Sequence, residues 1–173
     1  NKEVNIILHR LACQLIEKHT DFSNSILVGL QPRGKYLANR LKDLLITDYK
    51  IKNVQIGFLD ITFYRDDFRR SDKVLKPSSN QMEFIVEGKK VVFIDDVLFT
   101  GRSIRAALTA IQSYGRPISI ELLILIDRRF SRHLPIQPDY RGRQVDAIEH
   151  EKVIVNWKES VGKDGVYLIK QEL

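Results

Sequence analysis

Three short and almost continuous apolar segments set the strongest limit on how this 173-residue chain can fold. They are residues 25–30 (SILVGL), 90–95 (KVVFID) and 119–126 (SIELLILI). Runs of this length, without regular alternation of polar side chains, are typical of strands that are buried on both faces of a parallel sheet. Helical patterns lie between them, so the order of elements predicts an α/β fold in which helices cover a central parallel sheet.

Helical spacing of apolar side chains marks the segments between these strands. Residues 2–19 form one such pattern, with Cys13 expected on its apolar side. A second helix is predicted after Gly34 and a third after Gly101. Shorter strands are predicted over 54–63, 152–155 and 166–170. Because the length suits one domain and no linker or repeat is visible, a single domain over 1–173 is expected.

Charge and cysteine content narrow the functional classes. Lys and Arg number 28 against 22 Asp and Glu, a formal net charge of +6 that favours an anionic ligand or partner. The single cysteine, Cys13, excludes a disulfide framework and a cysteine-based zinc site, and it fits a reducing compartment. No apolar run approaches the roughly 20 residues that span a bilayer, and no signal peptide is visible. A soluble, cytoplasmic protein is therefore expected.

Residues 95–103 (DDVLFTGRS) carry the clearest functional pattern. A buried strand ends at two acids, a short loop follows, and a helix begins. In open α/β sheets ligands gather at the carboxyl ends of the strands, where the N–H groups of a starting helix bind anions. Thr100 and Ser103 add hydroxyl donors, and Gly101 lets the backbone approach a ligand closely. The segment predicts a site for a phosphate monoester.

Asp95 and Asp96 set a second condition on the ligand. Two carboxylates beside a bound phosphate repel it unless they bind another group. Sugar hydroxyls donate hydrogen bonds to carboxylates, and Mg²⁺ coordinates them. A ligand with a phosphate, vicinal hydroxyls and Mg²⁺ is a phosphorylated ribose. The alternative is an ordinary strand–helix turn in which the acids only cap the helix and form salt bridges.

The stretch 91–108 (VVFIDDVLFTGRSIRAAL) resembles the 5-phosphoribosyl-1-diphosphate (PRPP) signature of type I phosphoribosyltransferases. The wider chain, from about residue 5 to about 170, is similar to the PyrR family of pyrimidine-operon attenuators and uracil phosphoribosyltransferases. The segments that carry this likeness are ILVGLQPRGKYLANRL, LDITFYRDD, GRPISIELLILIDRR and LPIQPDYRGR. The resemblance implies a central parallel sheet flanked by helices, a small hood built from N-terminal and C-terminal segments, and a flexible loop over about residues 64–81.

The same resemblance implies roles for individual residues. The catalytic residues would be Asp95 and Asp96, which bind the ribose hydroxyls directly or through Mg²⁺ and water, and Arg65 of the flexible loop, which closes over PRPP. The 5-phosphate would be bound by Val97, Leu98, Phe99, Thr100, Gly101, Arg102 and Ser103. The leaving diphosphate would face a loop, often unusual in its peptide conformation, formed by Pro32, Arg33 and Gly34. The base would lie near Asp127 and Arg128.

The implied reaction converts uracil and PRPP to UMP and diphosphate with Mg²⁺, in a protein that forms a homo-oligomer. Guanine, hypoxanthine or another base is the alternative acceptor. A second hypothesis is a regulator, with weak or no catalysis, that binds pyrimidine leader RNA through a basic surface including Arg141 and Arg143. Three departures from the family pattern fall on the expected RNA face: Phe130, Gln137 and Ala147. They lie away from the PRPP loop, so they weaken the RNA hypothesis more than PRPP binding.

Overall fold

A five-stranded parallel sheet forms the centre of the molecule. The computed structural model describes residues 2–64, 85–130, 132–148 and 150–170. The strands are β1 (Ser25–Leu30), β2 (Gln55–Leu59), β3 (Lys90–Leu98), β4 (Ser119–Arg128) and β5 (Tyr140–Val145). They lie in the order β2-β1-β3-β4-β5, and each neighbouring pair is parallel. The α/β class expected from the apolar runs is confirmed.

Helices cover both faces of this sheet: α1 (Lys2–His19), α2 (Gly34–Thr47) and α3 (Arg102–Ile111). On one face, Leu15 of α1 and Leu37 of α2 pack with Val92 of β3. On the other face, Ile104 of α3 packs with Phe93 of the same strand. Successive side chains of a strand point to opposite faces, so β3 is covered on both sides. This double burial explains why the central strands have almost uninterrupted apolar sequences.

A C-terminal hairpin packs beside the sheet. Its parts are β6 (Glu151–Asn156), the short helix α4 (Lys158–Val161) and β7 (Gly165–Lys170), with β6 and β7 antiparallel. Val155 and Trp157 belong to the same apolar cluster as α1 and α2. The guanidinium of Arg40 in α2 lies 4.7 Å from the centroid of a Trp157 ring and pairs with Glu159 and Asp164. The hairpin is therefore fixed to the core by apolar and ionic contacts.

Several boundaries differ from those the apolar pattern predicts. β3 continues to Leu98, three residues beyond the predicted end at Asp95, and therefore includes Asp96 as well as Asp95. β4 continues to Arg128. The strand expected over 54–63 covers only β2 and is followed by a 3-10 turn at Thr62–Tyr64. The pattern does not predict β5, because Tyr140 is the single buried side chain of this edge strand.

Cys13 is exposed, so its expected place on the apolar side of α1 is wrong. The helix buries Ala12 and Leu15, and consecutive helical residues are rotated by about 100°. That rotation carries Cys13 to the edge of the apolar stripe, where its Sγ lies 3.3 Å from the hydroxyl of Tyr49.

The predicted flexible loop, 64–81, lies outside the described residues except for Tyr64. Arg65, expected to act from this loop, lies outside them as well. Within the described ranges, no helix combines the length and the apolar character needed to cross a membrane.

Candidate active site

The carboxyl ends of β1, β3 and β4 bring the predicted binding segments to one edge of the sheet. The parallel register pairs Gly29 of β1 with Ile94 of β3, and Leu98 of β3 with Asp127 of β4. The loop after β1 therefore lies beside the two aspartates, and the loop after β3 lies beside the end of β4. This is the edge at which ligands of open α/β sheets bind.

The loop between β3 and α3 surrounds a small cavity. Gly101, just before α3, has a φ of 92°, a left-handed conformation that glycine adopts without strain. A Cβ at this position would lie 3.2 Å from the Ile136 side chain. The cavity has a volume of about 180 Å³ and is lined by Asp95, Val97, Leu98, Phe99, Thr100, Gly101, Arg102, Ser103 and Ile104. All seven residues predicted to bind the 5-phosphate line this cavity, at the start of a ten-residue helix.

Asp96 has a buried carboxylate that faces the loop after β1. Its relative exposure is 5%, and its Oδ2 has no hydrogen-bond partner in the described part of the chain. Among the described residues Arg33 supplies a cation, and its Nη1 lies 3.9 Å from this oxygen. Burial raises the pKa of Asp96, against the opposing effect of the Arg33 charge. Asp95 is less buried, and its Oδ1 accepts a hydrogen bond from the Asp96 N–H at 2.9 Å.

The loop after β1 is pressed against β3. The peptide bond between Gln31 and Pro32 is cis. A Cβ on Gly34 would collide with the carbonyl oxygen of Ile94, so only glycine fits this close approach. Gly34 is also the first residue of α2, whose opening N–H groups have no partners within the helix. The loop thus places N–H donors and the half-exposed Arg33 guanidinium beside Asp96.

At the end of β4, the buried carboxylate of Asp127 is neutralised by two arginines. Arg132 donates a hydrogen bond to its Oδ1, and Nε of Arg141 lies 2.9 Å from its Oδ2. Arg132 also donates to the main-chain oxygen of Phe99 at 2.5 Å. One side chain therefore joins the predicted base segment to the phosphate loop. The sequence analysis gives Arg132 no role in the site, and the one signal that could have pointed to it is its position five residues after Asp127.

Arg128, the last residue of β4, is also buried. Its relative exposure is 4%, and its guanidinium carbon lies 3.8 Å from the centroid of the Phe99 ring. Its Nη2 donates to the carbonyl oxygen of Ile148 at 3.2 Å, and its Nε has no hydrogen-bond partner among the described residues. Burial lowers the pKa of Arg128. The side chain connects the loop between β3 and α3 with the segment that precedes β6.

The arginines of the predicted RNA surface all lie near acids. Arg141 pairs with the buried Asp127, as described above. Nη1 of Arg143 lies 3.2 Å from Glu3, and both side chains are largely exposed. Ala147, one of the departures assigned to the RNA face, is fully buried in the apolar cluster with α1 and α2. Its expected place on that face is wrong, because the segment after β5 turns inward there. Phe130 and Gln137 are exposed.

The two aspartates of β3 suit a hard cation. Mg²⁺ prefers carboxylate oxygens and water, and it commonly binds one or two carboxylates together with substrate phosphates. Asp96 supplies an oxygen that accepts no hydrogen bond from the described residues, and Asp95 lies next to it. In the described ranges no cluster of three or more His, Cys, Asp and Glu side chains is arranged to hold a metal by itself. The donor set therefore fits an ion that takes its other ligands from substrate or water.

Comparison with known proteins decides the family. The profile of the family described as "Phosphoribosyl transferase domain" matches residues 1–159. A protein of Microcystis aeruginosa named "Bifunctional protein PyrR" is 45% identical over 168 residues, covering 97% of this chain and 93% of the relative. The chain belongs to the PyrR family of phosphoribosyltransferases.

Further comparisons agree with this assignment. A second PyrR, from Gloeothece citriformis, is 44% identical over 169 residues, which cover 98% of this chain and 94% of that protein. The hypoxanthine phosphoribosyltransferase of Trypanosoma cruzi shares the fold with a TM-score of 0.71 at 15% identity, covering 99% of this chain and 94% of the other. The enzyme of that name from Staphylococcus aureus gives a TM-score of 0.63 at 20% identity, covering 84% and 75%. The predicted PyrR resemblance and type I phosphoribosyltransferase fold are confirmed.

Proposed function

We propose that this PyrR-family chain transfers the phosphoribosyl group of PRPP to uracil and releases diphosphate, with Mg²⁺ as cofactor. The observation that carries the proposal is the meeting of three segments at one edge of the sheet. The cavity of residues 97–103 suits a phosphate monoester. Asp95 and Asp96 suit ribose hydroxyls, and the start of α2 with Arg33 suits a diphosphate. PRPP carries these three groups in one molecule.

The chain's own residues would act by positioning and by charge. Loop N–H groups and the hydroxyls of Thr100 and Ser103 would hold the 5-phosphate, while Asp95 would accept hydrogen bonds from the ribose. The bond from ribose C1 to the diphosphate breaks, with its electron pair leaving on the diphosphate, as the base nitrogen bonds to C1 through a transition state with oxocarbenium character. The N–H proton of the base is transferred to the leaving diphosphate or to water. Arg33 would stabilise the charge that develops on the leaving diphosphate. Mg²⁺, held by the two aspartates of β3 with substrate oxygens, would neutralise part of that charge.

We assign the acceptor base to the end of β4, near Asp127 and Arg128. The two arginines that neutralise Asp127 leave this region without a net negative charge facing an incoming base. Uracil is the acceptor that the PyrR resemblance favours. Guanine, hypoxanthine or another base is the alternative, because the segment with Phe130 departs from the family pattern close to this region.

Incubation of the protein with PRPP, Mg²⁺ and a panel of free bases tests the proposal directly. Separate reactions with uracil, guanine, hypoxanthine, adenine and cytosine are scored for nucleoside monophosphate and for diphosphate. We expect UMP from uracil and much slower formation of any other product. Turnover of a purine in place of uracil would correct the acceptor alone. The absence of product with every base, together with no heat of PRPP binding by calorimetry, would overturn the proposal.

Other parts of the proposal rest on the family resemblance. Arg65 and the loop 64–81 would close over bound PRPP and exclude water. α1 and the β6–β7 hairpin would contribute to a hood within a single domain over 1–173. The single cysteine, Cys13, is consistent with a reducing compartment such as the cytoplasm. An Arg65→Gln variant should lose about a hundred- to a thousandfold in turnover if its charge stabilises the leaving group.

Self-association is the remaining expectation about partners. Four consecutive side chains of β7, Val166–Ile169, are exposed although all are apolar or aromatic. Exposed apolar strands are usually covered in assembled proteins. Sedimentation velocity over a concentration series should show an oligomer, and a monomer at all concentrations would contradict this expectation.

A second function, RNA binding, is proposed because relatives of this chain are named bifunctional and because Arg129 and Arg143 present exposed guanidinium groups. Such groups bind phosphates, which dominate the affinity of most protein–RNA complexes. The nearby acids Glu3 and Asp146 reduce the positive potential of this surface. The RNA partner would be a pyrimidine leader transcript of the same organism.

Filter binding with that leader RNA across a salt series tests this second function. Arg143→Gln is the informative variant, because changing Arg141 would also leave the buried Asp127 without one of its cations. Arg116→Gln is the control. This exposed arginine precedes β4 at the amino ends of the strands, whereas the candidate site lies at their carboxyl ends. If binding is specific, only the Arg143→Gln variant should lose affinity for the leader RNA. Micromolar affinity without sequence preference would leave only general electrostatic attraction.

A further inference from the structure

We propose that the ring of Phe99 is the wall of the acceptor pocket on which the base stacks, and that Arg128 is a positioning residue that holds this ring. This inference rests on the proposed phosphoribosyl transfer and names the groups that recognise the acceptor. It also refines the role of Arg128, which the family resemblance places near the base.

The position of Phe99 is fixed from two sides. Arg132 donates a hydrogen bond to its main-chain oxygen at 2.5 Å. The guanidinium of Arg128 lies 3.8 Å from the ring centroid, a distance at which it covers one face of the ring. Arg128 is itself held by the carbonyl oxygen of Ile148 at 3.2 Å. The ring is thus attached to β4 and to the segment before β6, both outside its own loop.

The uncovered part of the ring faces open space. Phe99 is 40% exposed although one face carries the Arg128 guanidinium, so its exposure comes from the other face and the edges. The neighbouring Leu98, by contrast, is buried at 2%. Phe99 lines the same cavity as Asp95 and Thr100, the residues assigned to the ribose and its 5-phosphate. Packing against Arg128 uses one face of the ring and leaves its exposed part available to a ligand.

A planar nucleobase matches this surface. Aromatic rings stack on bases through either face, and an arginine on the far face adds a cation–π contact that orients the ring. A ring that is already held in place loses little conformational entropy when the base binds. Arg128 therefore acts on the base through Phe99.

The test compares two ligands that share a ribose and a 5-phosphate and differ in the base. Calorimetry measures the affinities of UMP and ribose 5-phosphate for the wild type, Phe99→Leu, Phe99→Tyr and Phe130→Leu. Phe130 is the control, because it is an exposed aromatic residue that also lies near an arginine, Arg129, at 5.0 Å. Loss of stacking should weaken UMP binding to Phe99→Leu by about tenfold. Phe130→Leu should bind both ligands like the wild type, whereas Phe99→Leu should lose several-fold more affinity for UMP than for ribose 5-phosphate, because the substitution keeps the main-chain N–H groups of the loop. Phe99→Tyr, which keeps an aromatic face, should lose less UMP affinity than Phe99→Leu.

Arg128→Met tests the positioning role. This variant should weaken UMP binding several-fold in the wild-type background and should add nothing in the Phe99→Leu background, because the two side chains act as one unit. Wild-type affinity of Phe99→Leu for UMP, or equal weakening of both ligands, would overturn the inference. That result is distinct from failure of the proposed function, in which the wild type itself forms no nucleotide from PRPP and any base.

Discussion

The Nη1 nitrogen of Arg33 lies 3.9 Å from the Oδ2 oxygen of Asp96, so an arginine of the loop after β1 is the counterion of a buried acid on the neighbouring strand. The pair joins the part of the candidate site that suits a diphosphate to the part that suits a ribose. PRPP would offer new partners to both side chains, hydroxyls or Mg²⁺ to Asp96 and phosphate oxygens to Arg33. Until such a ligand binds, the Arg33 guanidinium balances the charge of the buried Asp96 carboxylate.

Asp96→Asn should remove most catalytic activity and leave the fold intact. The amide has nearly the same shape but cannot balance Mg²⁺ or accept from ribose hydroxyls with both oxygens, and losing such a group costs about 3 kcal/mol, or about a hundredfold in turnover. Because burial already disfavours the charged form of Asp96, the free energy of unfolding should not fall. UMP formation and thermal unfolding measure the two effects. Asp95→Asn should behave similarly in turnover, and near-normal rates in both variants would contradict the assignment.

Gly34→Ala should damage the loop after β1 specifically. The added Cβ collides with the carbonyl oxygen of Ile94, and relief of such overpacking typically costs about 1–3 kcal/mol of stability. Gly142→Ala is a matched control. Gly142 lies on β5, and its added Cβ would collide in the same way with the carbonyl oxygen of Leu125 on β4. Both variants should be destabilised in urea. If the loop binds the diphosphate, only Gly34→Ala should lose more than tenfold in PRPP affinity relative to ribose 5-phosphate.

The central strands could be predicted, and the candidate binding segments could be located, because each leaves a local trace in the sequence. A strand covered on both faces has a continuous apolar run, as in residues 25–30, and a phosphate loop requires glycine and hydroxyl residues in a short span. Strand β5 leaves no such trace, because it lies at the sheet edge and buries only Tyr140. The sequence of this strand, with two arginines and a glycine, instead resembles that of an arginine-rich loop.

The contacts between distant segments could not be predicted for a different reason. The link from Arg132 to Phe99 and Asp127 depends on how the chain returns after β4, and the spacing of residues does not determine that path. The same holds for Arg128, whose burial is set by the Phe99 ring and by Ile148. The side chain of Arg132 thus joins two segments of the candidate site, and that of Arg128, which the resemblance places near the base, is buried against Phe99.

Arg40→Met should weaken the attachment of the C-terminal hairpin. The guanidinium makes hydrogen bonds of 2.6–3.1 Å to Glu159 and Asp164, and the pKa of each carboxyl is lowered by its hydrogen bond to Arg40. We expect the free energy of unfolding to fall by about 2 kcal/mol at pH 7, a value between those for exposed and buried ion pairs. Carboxyls with lowered pKa values stabilise the fold above their ordinary pKa and lose that contribution as pH falls. The difference between variant and wild type in urea unfolding should therefore shrink towards pH 3.

The matched control for this prediction is Arg129→Met. Arg129 pairs with Asp146 at 3.4 Å, but both side chains are more than half exposed, so its loss should change stability by less than about 0.5 kcal/mol. Equal destabilisation of the two variants would show that the Arg40 pairs are no stronger than a surface contact.

A buried polar cluster near the amino ends of β1, β4 and β5 should make the stability of the fold depend on pH. His19 contacts Ser25 at 2.8 Å, Tyr140 at 3.0 Å and Glu121 at 3.2 Å. Its side chain is inaccessible to solvent, and this burial lowers the pKa of His19, although Glu121 opposes the shift and Lys18 and Lys90 add to it. The folded state thus binds fewer protons at His19 than the unfolded chain does.

Stability should therefore fall as pH drops below about 6.5, the ordinary histidine pKa, because a group with a lowered folded-state pKa stabilises the fold only while it is deprotonated. His19→Gln keeps hydrogen-bonding capacity without a titrating ring. It should be less stable than the wild type at pH 7 and should change less between pH 7 and 5.5 in urea unfolding. His133→Gln, which alters an exposed histidine after β4, should retain the wild-type slope. A wild-type curve that is flat across this interval, or equal slopes in wild type and His19→Gln, would show that His19 does not control the dependence.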